Sequence, residues 1–253
     1  MGQLENKRII VTGAGGGLGK SVVDAVCAEG ASVVATDLPG QQGLSAWSDS
    51  DAVTTVGADL ADPAGIAAVV DAARSTLGGL DGLVVCHAYM AMGDFLEQDP
   101  QTWWRHLDIN LRATFQLVRS TLPLLREAGA GRVVFIGSEA GSIGMRGGTA
   151  YSASKAGMAT LAKTMARELG REGIVTNVIA PSYVDTPQLA SDAAYEGITI
   201  DEVKSRAAVG IPMGRIAEPA EISRSVVYLL GPYGGATLGQ VLNTNGGSFR
   251  GRV

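Results

Sequence analysis

Cysteine, histidine and aromatic residues are scarce in this chain: two Cys, two His, and only 5% Phe, Trp and Tyr together. Cys27 and Cys86 are too few for the disulfide framework of a small secreted protein, so a reducing, cytoplasmic setting is expected. Positive charge is also in deficit, with 20 Lys and Arg against 25 Asp and Glu, a net charge of −5 and a pI near 5.1. That balance argues against the clustered basic surface a nucleic-acid partner requires. No apolar run approaches the roughly 18 to 20 residues that cross a bilayer, and "MGQLENKRIIVTG" is too short in its apolar part for a signal peptide. The Met-Gly start lacks the Ser or Thr of a myristoylation signal, because Asn6 stands in its place.

What the chain has in quantity is apolar bulk and glycine: 46% hydrophobic residues and 35 Gly in 253 residues. This suffices for one α/β domain spanning 1–253. Short β-branched runs alternate with longer helical patterns, which predicts repeated βαβ units and a parallel, doubly wound sheet. Strands are predicted at 8–12, 32–36, 53–60, 82–86, 132–137, 174–181 and 239–244. Helices are predicted at 18–29, 63–77, 101–126, 150–170 and 218–230. Continuous apolar strands imply burial of both sheet faces. Residues 182–213, broken by Pro187, Gly197, Gly210 and Pro212, are the least regular stretch. They are expected to form a lid over a site, with 188–210 mobile in the absence of ligand.

"VTGAGGGLGK" follows the first predicted strand and opens the first helix. Gly13, Gly17 and Gly19 let the backbone approach a pyrophosphate, with free N–H groups and the helix dipole behind them. Alone such a cluster is equally a structural turn; the order strand, glycines, helix gives it weight. Asp37 ends the second strand, where a carboxylate can take hydrogen bonds from ribose hydroxyls and repel a 2′-phosphate. NAD is thereby favoured over NADP, although Asp37 can also be read as an ordinary strand-end carboxylate.

"GTAYSASKAG" stacks Tyr151 and Lys155 on one helix face. A phenol of pKa about 10 is a poor base until a neighbouring ammonium favours its ionised form. Tyr151 can then exchange a proton with an alcohol or carbonyl. Ser138, in "FIGSEAG" at the end of the fifth strand, can hydrogen-bond the reacting oxygen. Taken alone, the Tyr–Lys pair reads better as a solvated helix face, since the spacing occurs often by chance.

Taken together, TGxxxGxG (Thr12, Gly13, Gly17, Gly19), the acid after strand two, Asn110 in "DINL", Ser138 and YxxxK resemble the short-chain dehydrogenase/reductase family in its compact single-domain branch. The resemblance runs from Lys7 to about Gly247. It implies a Rossmann-type three-layer α/β/α sandwich and an NAD-dependent oxidoreductase interconverting a secondary alcohol and a ketone. By resemblance, Tyr151 is the general acid/base, Ser138 positions the substrate oxygen, and Lys155 binds the nicotinamide ribose and lowers the Tyr151 pKa. Asn110 holds a water in a proton relay toward Lys155. Cofactor contacts are implied for Gly13, Gly15, Gly17, Leu18, Gly19, Asp37, Leu38, Asp59, Leu60, His87, Ala88, Pro181, Val184 and Thr186, together with Tyr151 and Lys155. The family's Pro-Gly is Pro181–Ser182 here, and its Asp before the last Gly pair is Asn245. A homotetramer or homodimer, using helices 101–126 and 150–170, is also implied. The YxxxK spacing sets aside enoyl reductases, and the glycine spacing sets aside the extended epimerase branch. The alternatives kept are a 3-oxoacyl-thioester reductase and a non-catalytic NAD-binding scaffold.

The resemblance places substrate near Met90, Met92, Ile143, Met145, Tyr183, Leu189 and Met213. Four methionines there suit an apolar substrate. Arg146 and Glu139 are loop charges that can also reach substrate, while Trp103 and Trp104 read as packing or subunit-contact residues. "LVVCHAYM" stands where the family carries Asn-Asn-Ala-Gly. Cys86 and His87 are expected on opposite faces of a strand, with no further ligands at metal-binding spacing. No metal is expected. The imidazole of His87 is expected to fill space or tune cofactor affinity.

Overall fold

The computed structural model describes residues 2–249; residue 1 and residues 250–253 of the expected 1–253 domain lie outside the described residues. Seven strands run in parallel: β1 (Arg8–Thr12), β2 (Ser32–Asp37), β3 (Val53–Gly57), β4 (Gly82–Val85), β5 (Arg132–Ile136), β6 (Val175–Pro181) and β7 (Val241–Thr244). Their order is β3-β2-β1-β4-β5-β6-β7. β1 therefore pairs on one side with β2 (Ile10 opposite Val34) and on the other with β4 (Ile10 opposite Leu83). Chain direction away from β1 reverses at that point, and a crevice opens at the carboxyl ends of β1 and β4.

Nine α-helices complete the layers: α1 (Gly17–Ala28), α2 (Pro63–Ala72), α3 (Pro100–Leu107), α4 (Thr114–Glu127), α5 (Ala140–Ile143), α6 (Thr149–Leu169), α7 (Leu189–Glu196), α8 (Ile200–Gly210) and α9 (Pro219–Leu230), counted among the described residues. α1 and α9 cover one sheet face, burying Val22, Val26, Ile222 and Val226 against Ile9 and Val11. α2, α4 and α6 cover the other, where Leu117, Leu125, Met158 and Ala162 meet Leu83 and Phe135. Both faces are dry, as the uninterrupted apolar strands require. The fold is thus the doubly wound, three-layer α/β/α sandwich expected. No helix among the described residues is long and apolar enough to cross a membrane.

Two local differences from the sequence reading matter for the site. The single helix expected over 101–126 is α3 and α4 joined by a π-helical segment, Asp108–Ala113. Asp99 starts α3, accepting from Thr102 N at 2.8 Å with Pro100 in the first turn. The extra residue per turn at 108–113 turns Asn110 inward, where its buried amide is fully bonded. The second difference is the segment 182–213, which contains the two helices α7 and α8 that its glycines and prolines conceal in the sequence. Thr199 starts α8 with a reciprocal capping box to Glu202. Leu189, Ala193, Val203, Ile211 and Ile216 give this segment its own small core.

Phe135 is fully buried at the centre of β5. Phe135→Ala is expected to cost about 3–5 kcal/mol of stability, read as a lowered urea midpoint at unchanged m-value.

Candidate active site

The crevice floor starts at the glycine turn. Gly13 has a φ of 62°, a left-handed conformation that a side chain would strain. A Cβ on Gly19 would stand 1.9 Å from the Gly13 carbonyl oxygen, so only glycine lets α1 pack back on the turn. α1 begins with no side-chain cap and no acid in its first turn, leaving its leading N–H groups available. Across from them, the Asp37 carboxylate accepts from Gly15 N at 2.9 Å and from Leu38 N at 2.8 Å. Uncapped donors for phosphate beside a carboxylate for ribose fit a dinucleotide. Farther out, Asp59 is exposed and accepts from Ala61 N at 2.9 Å, while the Leu60 side chain is buried in the core.

The hydroxyl of Thr12 joins this turn to the loop after β4. It accepts from Cys86 N at 3.0 Å and His87 N at 3.3 Å, and lies 2.8 Å from His87 Nδ1. His87 Nε2 faces the Ile109 carbonyl at 3.2 Å. A carbonyl only accepts, so Nε2 carries the proton and Nδ1 accepts from Thr12. Burial and the charge of Lys155 push the His87 pKa down to about 4, which keeps it neutral. The His87 imidazole sits between Thr12 and the π-helical segment and does not line the cavity described next. β4 ends at Val85, so strand alternation does not govern the pair; Cys86 instead lines the pocket. Burial raises the Cys86 thiol to about 12, which removes it as a nucleophile.

A cavity of about 380 Å³ lies above, with Ser138, Tyr151 and Lys155 in its wall. β5 delivers Ser138, whose Oγ accepts from Ala140 N at 3.1 Å. The first turns of α6 deliver Tyr151 and Lys155, both buried. Burial pushes the Tyr151 phenol up to about 12, opposed by the neighbouring polar side chains of Ser138 and Gln188. Burial also pulls the Lys155 ammonium down to about 8. Lys155 Nζ donates to the Ile136 carbonyl at 2.8 Å and sits 5.6 Å from the phenol ring centroid, and burial is the largest influence on the Tyr151 phenol. The Asn110 amide donates to Ser154 Oγ and to the Tyr89 carbonyl, both at 3.0 Å, and accepts from Tyr89 N at 2.7 Å. Its side chain is thus spent on tying the 88–91 loop to α6. A relay water would have to meet its backbone carbonyl, which already accepts from Thr114 Oγ1 at 2.9 Å.

Ala88, Met90, Met145, Tyr183, Pro181, Val184 and Thr186 line this cavity, with Ile143 and Leu189. The four-methionine wall is corrected to two. Met92 lies in a neighbouring groove with Asp94 and Arg206, and Met213 packs at Gly246. Glu139 also reaches the cavity, but its carboxylate accepts from Ser182 Oγ at 2.6 Å, from Asn245 Nδ2 at 3.2 Å and from the Ser248 hydroxyl. This explains Asn245: the family's Asp would face a second carboxylate there, whereas the amide donates. Arg146 is exposed at the rim. Trp103 and Trp104 stack edge-to-face 5.1 Å apart, with Trp104 exposed. The sequence reading missed Gln188, Asp192 and Ser182, which also line the cavity. Two of them sit at or in α7, a helix too short and too close to Pro187 and Gly197 to read from periodicity.

A family model described as enoyl-(acyl carrier protein) reductase matches residues 13–248. The 2-keto-3-deoxy-L-fuconate dehydrogenase of Xanthomonas campestris is 33% identical over 246 residues, covering 97% of this chain and 81% of that protein. A 2-dehydro-3-deoxy-L-rhamnonate dehydrogenase (NAD(+)) of Sphingomonas is 32% identical over 97% of this chain and 96% of its own length. The 3-oxoacyl-[acyl-carrier-protein] reductase of Vibrio cholerae is 29% identical over 97% and 98%. Among solved structures, a short-chain dehydrogenase/reductase described as glucose/ribitol dehydrogenase, from Brucella melitensis, superposes with a TM-score of 0.90 at 26% identity, covering 99% of this chain and all of that one.

Because His87 is held neutral, the folded protein refuses a proton that the unfolded chain accepts below pH 6.5. The stability this provides is complete above pH 6.5 and is lost as pH falls through about 4. Allowing for partial exposure, the loss is on the order of 2 kcal/mol. Urea titrations from pH 7.5 to 4 are expected to show this slope in the wild type and not in His87→Ala. At pH 7.5 that variant is expected to be less stable by about 1–3 kcal/mol, with the Ile109 carbonyl left unpaired.

Proposed function

The chain belongs to the short-chain dehydrogenase/reductase family, and on that premise we propose that it is an NAD-dependent oxidoreductase interconverting a secondary alcohol and a ketone. A small hydroxylated molecule is its substrate. The observation that carries the reading is the convergence of Ser138, Tyr151 and Lys155 on one buried cavity beside the glycine turn.

A bound nicotinamide supplies the hydride acceptor or donor. The glycine turn at Gly13, Gly15, Gly17, Leu18 and Gly19 would hold its phosphates, with Asp37 and Leu38 at the adenosine ribose. Pro181, Val184 and Thr186 would flank its other end. Ser138 hydrogen-bonds the substrate oxygen and orients it toward Tyr151. In the reducing direction, a phenol whose pKa stands at about 12 is protonated at neutral pH and donates to the developing alkoxide. In the oxidising direction, the phenol must first lose its proton, and the buried Lys155 ammonium is the charge that favours that loss. Asn110 positions α6 by holding Ser154. We read the described chain as a single domain in which 182–213 is the lid, acting as a cytoplasmic homotetramer or homodimer.

A second reading, reduction of 3-oxoacyl thioesters, is favoured by the 29% identity to the Vibrio enzyme named for that activity. Asp37 weighs against the 2′-phosphate of NADPH, the cofactor more usual for that reaction. The sugar-acid dehydrogenases at 32–33% identity weigh in the same direction.

Tyr151→Phe is expected to lower kcat/KM by a factor of about 10²–10⁴ without loss of cofactor binding, measured at 340 nm against cyclic, aromatic and acidic secondary alcohols. Retention of most turnover would remove Tyr151 from its assigned role. In the same assay the wild type is expected to prefer NAD⁺ to NADP⁺, and Asp37→Ser to lose most of that preference. A wild type that prefers NADP⁺ would overturn the reading of Asp37.

A further inference from the structure

The cavity contains two carboxylates, and they differ in one respect. Glu139 is fully engaged by Ser182, Asn245 and Ser248. Asp192 is only 5% exposed, and among the described residues no other residue donates a hydrogen bond to its carboxylate; only its own backbone N–H does. It stands on α7 between Leu189 and Ala193, on the helix face that enters the small apolar core of the lid. Packing alone would place an aliphatic side chain there, since an unpaired buried carboxylate costs stability. Its charge acts on the Tyr151 and Tyr183 phenols, so it lies close to the reacting centre. The nearest charge on its own helix, Glu196, is repulsive and is already paired with Arg206. α7 is also fixed from outside, because the Tyr195 hydroxyl donates to Asp94. The carboxylate is therefore held in place, in the pocket, with a vacant acceptor.

We propose that Asp192 is a substrate-binding residue that accepts a hydrogen bond from a second hydroxyl, adjacent to the carbon being oxidised, and so selects vicinal diols and polyhydroxylated compounds over simple secondary alcohols. A neutral hydroxyl suits the site better than an ammonium. The cavity already holds the Lys155 cation, carries Arg146 at its rim, and otherwise presents Ser138, Tyr151, Tyr183 and Gln188. A site built to bind a hydroxyl rejects the analogue lacking it, because the protein's own polar group is then left buried and unpaired. Burial, with the charge of Glu196, pushes the Asp192 pKa up to about 6, the condition of a carboxylate awaiting a donor. The titratable and charged groups near it are Tyr151 on α6, Tyr183 after β6, Glu196 on α7 and Glu139 at the start of α5, with Arg206 of α8 behind Glu196.

This inference rests on the dehydrogenase reading, and the test separates the two. The wild type, Asp192→Asn and Asp192→Ala are assayed with NAD⁺ on matched pairs: cyclohexane-1,2-diol against cyclohexanol, and butane-2,3-diol against butan-2-ol. The expected result is a diol preference in kcat/KM of about tenfold or more for the wild type. That preference should fall as pH drops below about 6 and should collapse toward unity in Asp192→Ala. A wild type with no preference, or a preference that survives in Asp192→Ala, overturns the assignment while leaving the dehydrogenase reading intact. Failure of the wild type to oxidise any of the four alcohols counts against the dehydrogenase reading and the assignment together. Thermal melts give a readout independent of turnover. The folded-state pKa of Asp192 lies above its unfolded value, so its penalty is full at pH 8 and fades as pH falls toward 4. Asp192→Asn should therefore melt above the wild type at pH 8 and level with it at pH 4.5. Equal melting at pH 8 would mean the carboxylate is already satisfied, and would overturn the proposal.

Discussion

The crevice depends on one hydroxyl. Thr12 ends β1, and its Oγ1 gathers the Cys86 and His87 amides and the His87 ring. β1 and β4 are neighbours whose connections leave in opposite directions, so nothing in the sheet ladder itself fixes the loops beyond their carboxyl ends. The Thr12 hydroxyl supplies that constraint, and His87 extends it to Ile109 in the π-helical segment. From there Asn110 reaches Ser154 on α6, the helix that carries Tyr151 and Lys155. The glycine turn and the acid/base pair, far apart in sequence, are thereby joined by a short series of hydrogen bonds among buried or half-buried groups. Such bonds are strong where water is excluded and costly to leave half-made.

The electrostatics of the cavity follow from the same burial. Its wall carries a phenol and a thiol both pushed up to about 12 and an ammonium pulled down to about 8, and behind it an imidazole is held near 4. Each shift favours the neutral form. The cavity therefore resists charge, and Lys155, bonded to the Ile136 carbonyl, is its one buried cation among the described residues. Chemistry that develops negative charge on a substrate oxygen gains most in such surroundings, where one fixed positive charge is poorly screened.

Most of the fold was legible because its signals are local. Apolar β-branched runs mark all seven strands to within a few residues, and the glycine turn, Asp37, Ser138 and the Tyr151–Lys155 pair can be read by position. What could not be read depends on contacts between distant residues. The π-helical segment turns Asn110 toward Tyr89 and Ser154, and nothing at 108–113 announces it. The direction of His87 is set by Thr12 and Ile109, and the balance of pKa values by burial that no spacing reveals. α7 escaped because eight residues between a proline and a glycine give little periodicity, and with it escaped Asp192 and its neighbour Gln188. The methionine-lined pocket was overread: Met92 and Met213 lie near the cavity in sequence terms but pack elsewhere.

Glu139 and Asn245 carry a consequence for how either could be replaced. They lie 106 residues apart and meet through a single donor–acceptor contact, with Ser248 and Ser182 completing the arrangement. An Asp at 245 opposite Glu139 would set two carboxylates against each other in a half-buried space. While Glu139 is present, an acid at 245 would set the end of the carboxyl-terminal strand and the cavity wall against each other. Exchanging either residue without the other therefore leaves half of a contact.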